Sequence, residues 1–320
     1  MVTREPAVAT VTVNPALDVT LTVDRLVADT KLPVTAHRRD PGGGGINVSR
    51  MLARLGVASK AVVLAGGPVG DELLAGISAD DPTQLIQVAA LPASDNTREN
   101  VSVIVSSASD QYRRVVPGPP VADPEALIDL VVEAVGQTRF VVLSGGLAPG
   151  LAPSFYRLLA GRLSDRTVVV DALEPATVAQ AFAGGAEVVK PNEHELASLV
   201  DTGAGSVVEL AAAARAALDR GRVGVAVVSL GPRGALVVPR VGGAVWLAAP
   251  PVCVRSTTGA GDSMVAGIVA GLAGGQSVAM AARLGVAAGA ATVEMGGTQL
   301  GERGRIEQLL SLIEETTIDE

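Results

Sequence analysis

The sequence predicts an α/β fold, with a mainly parallel central sheet covered by helices and a small β-sheet laid over it as a lid. From about residue 123, short apolar runs alternate with helix-like runs, the rhythm of a parallel sheet with right-handed crossovers. Earlier, the stretch 100–116 alternates apolar and polar side chains (Val101, Val103, Val105, then Tyr112 and Val115), the period of a half-exposed strand pair. Composition agrees: residues are 48% hydrophobic but only 2% aromatic, which suits buried strands under Ala-rich helices.

Taken in order, 8–13 and 19–23 read as strands, and a helix is expected from about 46 to just before Gly56. The run 62–65 reads as a strand and 71–77 as a short helix. Helix then strand follow at 124–135 and 140–143, 153–163 and 167–170, 177–182 and 187–189, and 207–218 and 225–229. These strands end in Ser144-Gly145-Gly146, Asp171, Lys190-Pro191-Asn192 and Ser229-Leu230-Gly231. Ligands of open α/β sheets bind beyond the carboxyl ends of strands, so these four ends nominate a pocket edge. With no linker or repeat visible, residues 1–320 are expected to form one domain, its lid built from about 12–40 and 95–117.

Several classes are excluded. A net charge of −8 argues against general nucleic-acid affinity. Cys253 is the only cysteine, so an intrachain disulfide is impossible. His194-Glu195 begins like a zinc-protease helix, but Ser198 stands where the second His is needed. The N-terminal 13 residues lack the apolar core of a signal peptide, and a cytoplasmic location is expected. The uncharged run 263–282 has the 20-residue length of a membrane helix, but Gly274-Gly275-Gln276-Ser277 cuts it into two buried helices.

Two glycine clusters carry the chemistry. In Ser256-Thr257-Thr258-Gly259-Ala260-Gly261-Asp262 a tight turn delivers one carboxylate to the first turn of an apolar helix, where unpaired N–H groups cradle an anion. A carboxylate beside such a cradle suits phosphoryl transfer to a hydroxyl; Asp262 would equally serve as a helix cap. Pro41-Gly42-Gly43-Gly44-Gly45-Ile46-Asn47 lets backbone amides approach a ligand, with Asn47 on the first turn of the helix it opens. Neither cluster fits a P-loop or a dinucleotide fingerprint.

Lys31, Arg38, Arg39, Arg50 and Arg54 surround the first cluster, and Arg98, Arg113 and Arg114 lie on the lid strands, a grouping that suggests a phosphorylated small molecule. Asp18, five residues beyond a buried-looking strand, reads by itself as a turn former. Asn192 and Glu195 share one face of a helix start, where they could manage Mg²⁺ or form a capping box.

Together these residues resemble the PfkB carbohydrate-kinase family, which has the ribokinase-like three-layer α/β/α sandwich. The likeness runs from Thr12-Val13-Asn14-Pro15-Ala16-Leu17-Asp18 to Ala287-Ala288-Gly289-Ala290-Ala291, and its two signatures are 42–49 and 257–262. Thr97-Arg98-Glu99-Asn100, Tyr112-Arg113, Pro117-Gly118 and Ser229-Leu230-Gly231-Pro232-Arg233-Gly234-Ala235 place it nearest the phosphosugar branch. Fructose-1-phosphate and tagatose-6-phosphate kinases commonly carry Lys where this chain has Gly44, which favours fructose 6-phosphate as the acceptor.

The resemblance implies ATP and Mg²⁺, with Asp262 as base toward the sugar C1 hydroxyl and Gly259, Ala260 and Gly261 as the anion hole. It gives Asp18, Gly43 and Asn47 to the sugar hydroxyls, Lys31, Arg98 and Arg113 to the sugar phosphate, and Ser144 to the substrate edge. Asn192 and Glu195 would manage Mg²⁺, and Asn192, Ser229, Gly231, Gly234 and Thr258 the nucleotide. At a helix N-terminus Asp262 is expected to stay ionised and to act as a weak base. The chain departs from the 6-phosphofructokinase branch at Pro33, where an Arg usually follows Lys-Leu, so that phosphate contact is either missing or supplied by His37, Arg38 or Arg39. It departs again at Gly146 and Ala148, and Ser256 stands where many cation-binding relatives have Asp. Rival acceptors are tagatose 6-phosphate and fructose 1-phosphate; a non-catalytic sugar-phosphate sensor is the reading from a different class. A homodimer joined through the lid edges is expected.

Overall fold

Strands buried on both faces favour apolar side chains at successive positions, and the inner strands of the central sheet largely follow this rule. In the computed structural model, which describes residues 6–108, 110–200 and 205–318, ten strands form one sheet. Its parallel part comprises β1 (Val8–Thr12), β4 (Ser59–Ala65), β5 (Ile86–Pro92), β8 (Phe140–Ser144), β9 (Thr167–Asp171), β10 (Val188–Val189) and β11 (Val225–Ser229). Three antiparallel strands extend it: β12 (Ala235–Pro239), β13 (Ala244–Leu247) and β14 (Glu315–Ile318). The spatial order is β14-β13-β12-β11-β10-β9-β8-β1-β4-β5.

Successive side chains of one strand enter opposite layers. Val141 and Leu143 of β8 join the core under α3 (Pro124–Val135), α4 (Phe155–Arg162), α5 (Pro175–Ala183), α6 (Glu193–Val200) and α7 (Val207–Asp219). Phe140 and Val142 join the core under α1 (Gly44–Arg54), α8 (Ala260–Ala273), α9 (Val278–Val293) and α10 (Arg303–Leu310). A third cluster, with Leu17, Ile46, Leu73 and Ile77, fixes α2 (Gly67–Ala79) beside α1. The result is the expected three-layer α/β/α sandwich.

The smaller sheet has the order β3-β2-β6-β7, from β2 (Ala16–Val23), β3 (Val34–Gly42), β6 (Arg98–Val105) and β7 (Asp110–Arg114). Only the β2–β6 pair is parallel. Asp18 lies inside β2, not in a turn: Leu17 is buried while Asp18 projects from the opposite face of the strand, so alternation overrides its turn propensity. The run 71–77 extends to Gly67–Ala79 because Pro68 starts the helix. Sequence reading missed β5, β12, β13, β14 and α10. The run 263–282 is two helices as expected, with Ser277 Oγ accepting from the Met280 N–H at 3.3 Å. No helix among the described residues is long and apolar enough to cross a membrane.

Small residues let α8 and α9 touch backbone to backbone. A Cβ on Gly267 would lie 2.6 Å from the Gly285 Cα. Gly267→Leu is therefore expected to destabilise the protein by about 1–3 kcal/mol through overpacking, read as a lowered midpoint in urea.

Candidate functional site

The strand order reverses between β1 and β8, the switch point where open α/β sheets bind ligands. The first glycine cluster fills that crevice. Gly43, at φ 130°, caps α1, and a Cβ on Gly45 would come within 2.8 Å of the Val11 carbonyl. A Cβ on Gly44 would lie 2.9 Å from the Gly145 nitrogen and overlap Ser144. Ile46 and Val48 are fully buried, so the loop is held by the core and delivers Asn47 to the cleft. The Ser144 hydroxyl, at β8's carboxyl end, is buried without a hydrogen-bond partner.

Asn47 Nδ2 donates to Asp262 Oδ2 at 2.8 Å, joining the two clusters across 215 residues of sequence. Gly259 takes a left-handed φ of 78° and caps α8, placing Asp262 in its first turn. Amides of this first turn have no carbonyl partner within the helix, although the Ala260 N–H makes a long turn bond to Thr257 O at 3.4 Å.

The expectation that Asp262 stays ionised is overturned. Burial, followed by the nearby Asp171 carboxylate, pushes its pKa up to about 7, against the opposing pull of Asn47 and Lys190. Protein surrounds most of the carboxyl group, and desolvation outweighs the helix dipole. A carboxylate poised near neutrality beside unpaired amides can take a proton from a hydroxyl while the amides hold developing negative charge.

Sequence reading assigned no role to Lys190. Its ammonium is buried at the end of β10 and paired with Asp171 at 2.9 Å. Burial pulls its pKa down, but the Asp171 carboxylate, with Glu195 and Asp262 adding to it, more than offsets this and keeps it charged. A Cβ on Gly261 would lie 3.8 Å from Lys190 Nζ, so the ammonium reaches the anion cradle. The only signal in the sequence was a lysine closing an apolar strand.

Asp18 accepts from Asn100 Nδ2 at 2.9 Å, and burial raises its pKa although Asn100, Arg113 and Arg98 act the other way. Its cross-strand partners are Asp40 and Asn100. Two residues along the same face, Arg38, Thr20, Ser102 and Arg113 form one row. Arg38 therefore shares the face of Asp18, whereas His37 and Arg39 point from the other, with Arg39 tied to Glu72 and Glu99. Three of the five N–H groups of Arg98 are used locally: its guanidinium donates to the carbonyls of Asn14 (3.0 Å), Val116 (3.0 Å) and Pro15 (3.2 Å). Lys31 is exposed, outside any strand.

Beyond the α8 N-terminus lies a cavity of about 530 Å³, lined by Ser229, Gly231 and Gly234 on one side and by Val286, Gly289 and Ala290 on the other. A Cβ on Gly234, which sits at φ 94°, would lie 2.6 Å from the Ala249 nitrogen, so only glycine lets the turn pack against that segment. Thr257 lines this cavity and Thr258 does not; the Thr258 N–H is engaged by Ser256 Oγ at 3.2 Å. A largely apolar slot that ends at an amide cradle and a buried ammonium fits a nucleoside with a phosphate chain.

Asn192 and Glu195 form a reciprocal capping box on α6, each side chain accepting from the other's N–H at 2.8 Å. Burial raises the Glu195 pKa despite its bond from the Asn192 amide and the nearby Lys190. Among the described residues no three His, Cys, Asp or Glu side chains converge on one metal position. This donor set fits Mg²⁺ only as a hydrated ion held mainly by phosphate oxygens.

A carboxylate and a cradle of unpaired amides meeting along the carboxyl edge of this sandwich fit a phosphotransferase with an alcohol acceptor. The family model described as pfkB family carbohydrate kinase matches residues 11–303, and the chain belongs to that family. It is 39% identical over 318 residues to the ATP-dependent 6-phosphofructokinase isozyme 2 of Mycobacterium tuberculosis, covering 98% of this chain and 91% of the relative. It is 35% identical over 292 residues to a 1-phosphofructokinase of Rhodobacter capsulatus, covering 88% of each. Among solved structures, phosphofructokinase-2 of Escherichia coli in complex with potassium superposes with a TM-score of 0.87 at 33% identity, over 96% of this chain and 99% of that one. Another structure of the Escherichia coli protein is described as its tetrameric inhibited form, with a TM-score of 0.84 at 32% identity, over 96% of this chain and 99% of that one.

The Asp262 environment sets a pH dependence. Since a base must be deprotonated, kcat/KM is expected to rise with pH through an acid limb near 7 and to level off above it. A pH–rate profile of the wild-type protein measures this limb.

Proposed function

We propose that the protein is an ATP-dependent kinase that phosphorylates fructose 6-phosphate at its C1 hydroxyl, yielding fructose 1,6-bisphosphate and ADP. The carrying observation is the 2.8 Å bond between Asn47 and Asp262, which joins the sugar-side cluster to the anion cradle. In this reading Asp262 takes the C1 hydroxyl proton as the oxygen attacks the γ-phosphorus and the bond to the ADP oxygen breaks. The amides of Gly259, Ala260 and Gly261, with the Lys190 ammonium, stabilise the charge on the transferred group. Asp18, Gly43 and Asn47 hold sugar hydroxyls, and Ser144 offers its unpartnered hydroxyl at the edge of the same crevice.

Arg113, Arg38 and Lys31 take the sugar phosphate, with Arg38 replacing the arginine that Pro33 displaces. Arg98 positions the segments around Asn14, Pro15 and Val116. Ser229, Gly231 and Gly234 receive the nucleotide, with Thr258 holding its loop. Asn192 and Glu195 would hold a hydrated Mg²⁺, which would supply neutralisation of phosphate charge. Gly44 supports fructose 6-phosphate over its rivals, whose kinases commonly carry Lys at that position; here a Cβ would lie 2.9 Å from the Gly145 nitrogen. A non-catalytic sensor would not need a buried carboxylate poised near neutrality.

The small sheet is proposed to act as a lid that excludes water, which would otherwise accept the phosphoryl group. Its outer strands β3 and β7 have unpaired edges, and Val34, Tyr112 and Val115 are exposed there, so pairing of lids in a homodimer of a cytoplasmic enzyme is proposed.

A coupled ADP-release assay over a panel of sugar phosphates tests the substrate. Fructose 6-phosphate is expected to give a kcat/KM at least about tenfold above fructose 1-phosphate and tagatose 6-phosphate, a difference of about 1.4 kcal/mol; a higher value for either rival reassigns the acceptor. Asp262→Asn should lower kcat roughly a hundred- to ten-thousand-fold with little change in KM. Light scattering should give a mass of two chains or a multiple; a monomer at assay concentrations contradicts the lid interface.

A further inference from the structure

Arg50 is a charged residue of α1 with only 6% of its surface exposed, and it belongs to neither the sugar face nor the nucleotide cavity. Its guanidinium spans two partners. One terminal nitrogen pairs with Asp80 Oδ2, just past the end of α2, at 2.7 Å; the other donates to Asn47 Oδ1 at 3.3 Å. The same Asn47 carboxamide donates through Nδ2 to Asp262. A continuous chain thus runs Asp80, Arg50, Asn47, Asp262.

The polarity of that chain follows from its ends. Arginine has only donors, so the Asn47 atom facing it must be the carbonyl oxygen. This leaves Nδ2 for the carboxylate. Turning the amide over would set N–H against guanidinium and oxygen against carboxylate, two repulsive contacts. We infer that Arg50 is a positioning residue for phosphoryl transfer, holding the Asn47 carboxamide so that its N–H face meets Asp262. The inference rests on the reading of Asp262 as the base.

The groups facing Asp262 are Asn47 from α1, Asp171 from the end of β9 and Lys190 from the end of β10. Those acting on Arg50 are Asp80, Asp40 from β3 and Arg54 from its own helix. Among the described residues, Asn47 alone donates a side-chain hydrogen bond to the Asp262 carboxylate. Its release favours the protonated acid, so the acid limb of kcat/KM moves to higher pH. A shift of one unit from 7 lowers the ionised fraction at pH 7 about fivefold.

The test is a set of pH profiles of kcat/KM on the full-length protein, with Asp262→Asn as control. Arg50→Met is expected to move the acid limb up by about half to one unit. Asp80→Asn, which alters only the half-exposed outer end, is expected to move it in the same direction by less, and it decides the question if Arg50→Met does not fold. In an Asn47→Ala background Arg50→Met should produce no further shift, because the two act as a unit. Normal limbs in folded Arg50→Met and Asp80→Asn, or additive shifts in the double variant, overturn the inference. Full activity of Asp262→Asn would instead overturn the reading of Asp262 on which it rests.

Discussion

The site depends on one electrostatic arrangement, in which two carboxylates and one ammonium share a buried volume at the carboxyl edge of the sheet. Asp171 and Lys190 neutralise each other, leaving Asp262 with no full counter-charge of its own. Removing a carboxylate from water disfavours its charged form, and a nearby like charge adds to the effect. One amide bond from Asn47 and partial attraction from Lys190 oppose both. The balance falls near neutrality, where a carboxylate is basic enough to accept a proton and still substantially ionised.

Fold topology makes that arrangement possible. The ends of β8, β9, β10 and β11 are neighbours in space, so Ser144, Asp171, Lys190 and Ser229 line a single edge. Ser144 and Asp171 are register partners, and a bridge links Asn192 to Ser229. Helices α1 and α8 arrive at this edge from the same layer, each opened by a glycine that needs positive φ. The glycine-lined crevice lies where the strand order reverses and the apolar cavity lies beyond α8, so Asp262 stands between the two.

Features set by local sequence were legible in advance. The glycine clusters, the apolar strands ending in polar residues and the division of 263–282 into two helices all follow from neighbours in the chain. Features set by distant contacts were not. The run 86–92 is short, carries two alanines and is closed by a proline, and pairing with β4 makes it a strand. Antiparallel β12 to β14 extend a sheet whose parallel rhythm had already ended. The charge of Arg98 is visible in sequence, while the three carbonyls to which it donates are not. Asp262 was expected to be ionised because a helix N-terminus is visible and the surrounding burial is not. Lys190 and Arg50 gained meaning only once Asp171, Asn47 and Asp80 were in place.

The most direct measurement is the ionisation of Asp262 in the free protein, followed by carbon NMR of carboxyl-labelled aspartate and assigned by the resonance that disappears in Asp262→Asn. That resonance should titrate with a midpoint of about 7. A midpoint in the ordinary aspartate range, about 3.9, would mean that the carboxylate is solvated and free of the charge balance described, and the account of this site would be contradicted.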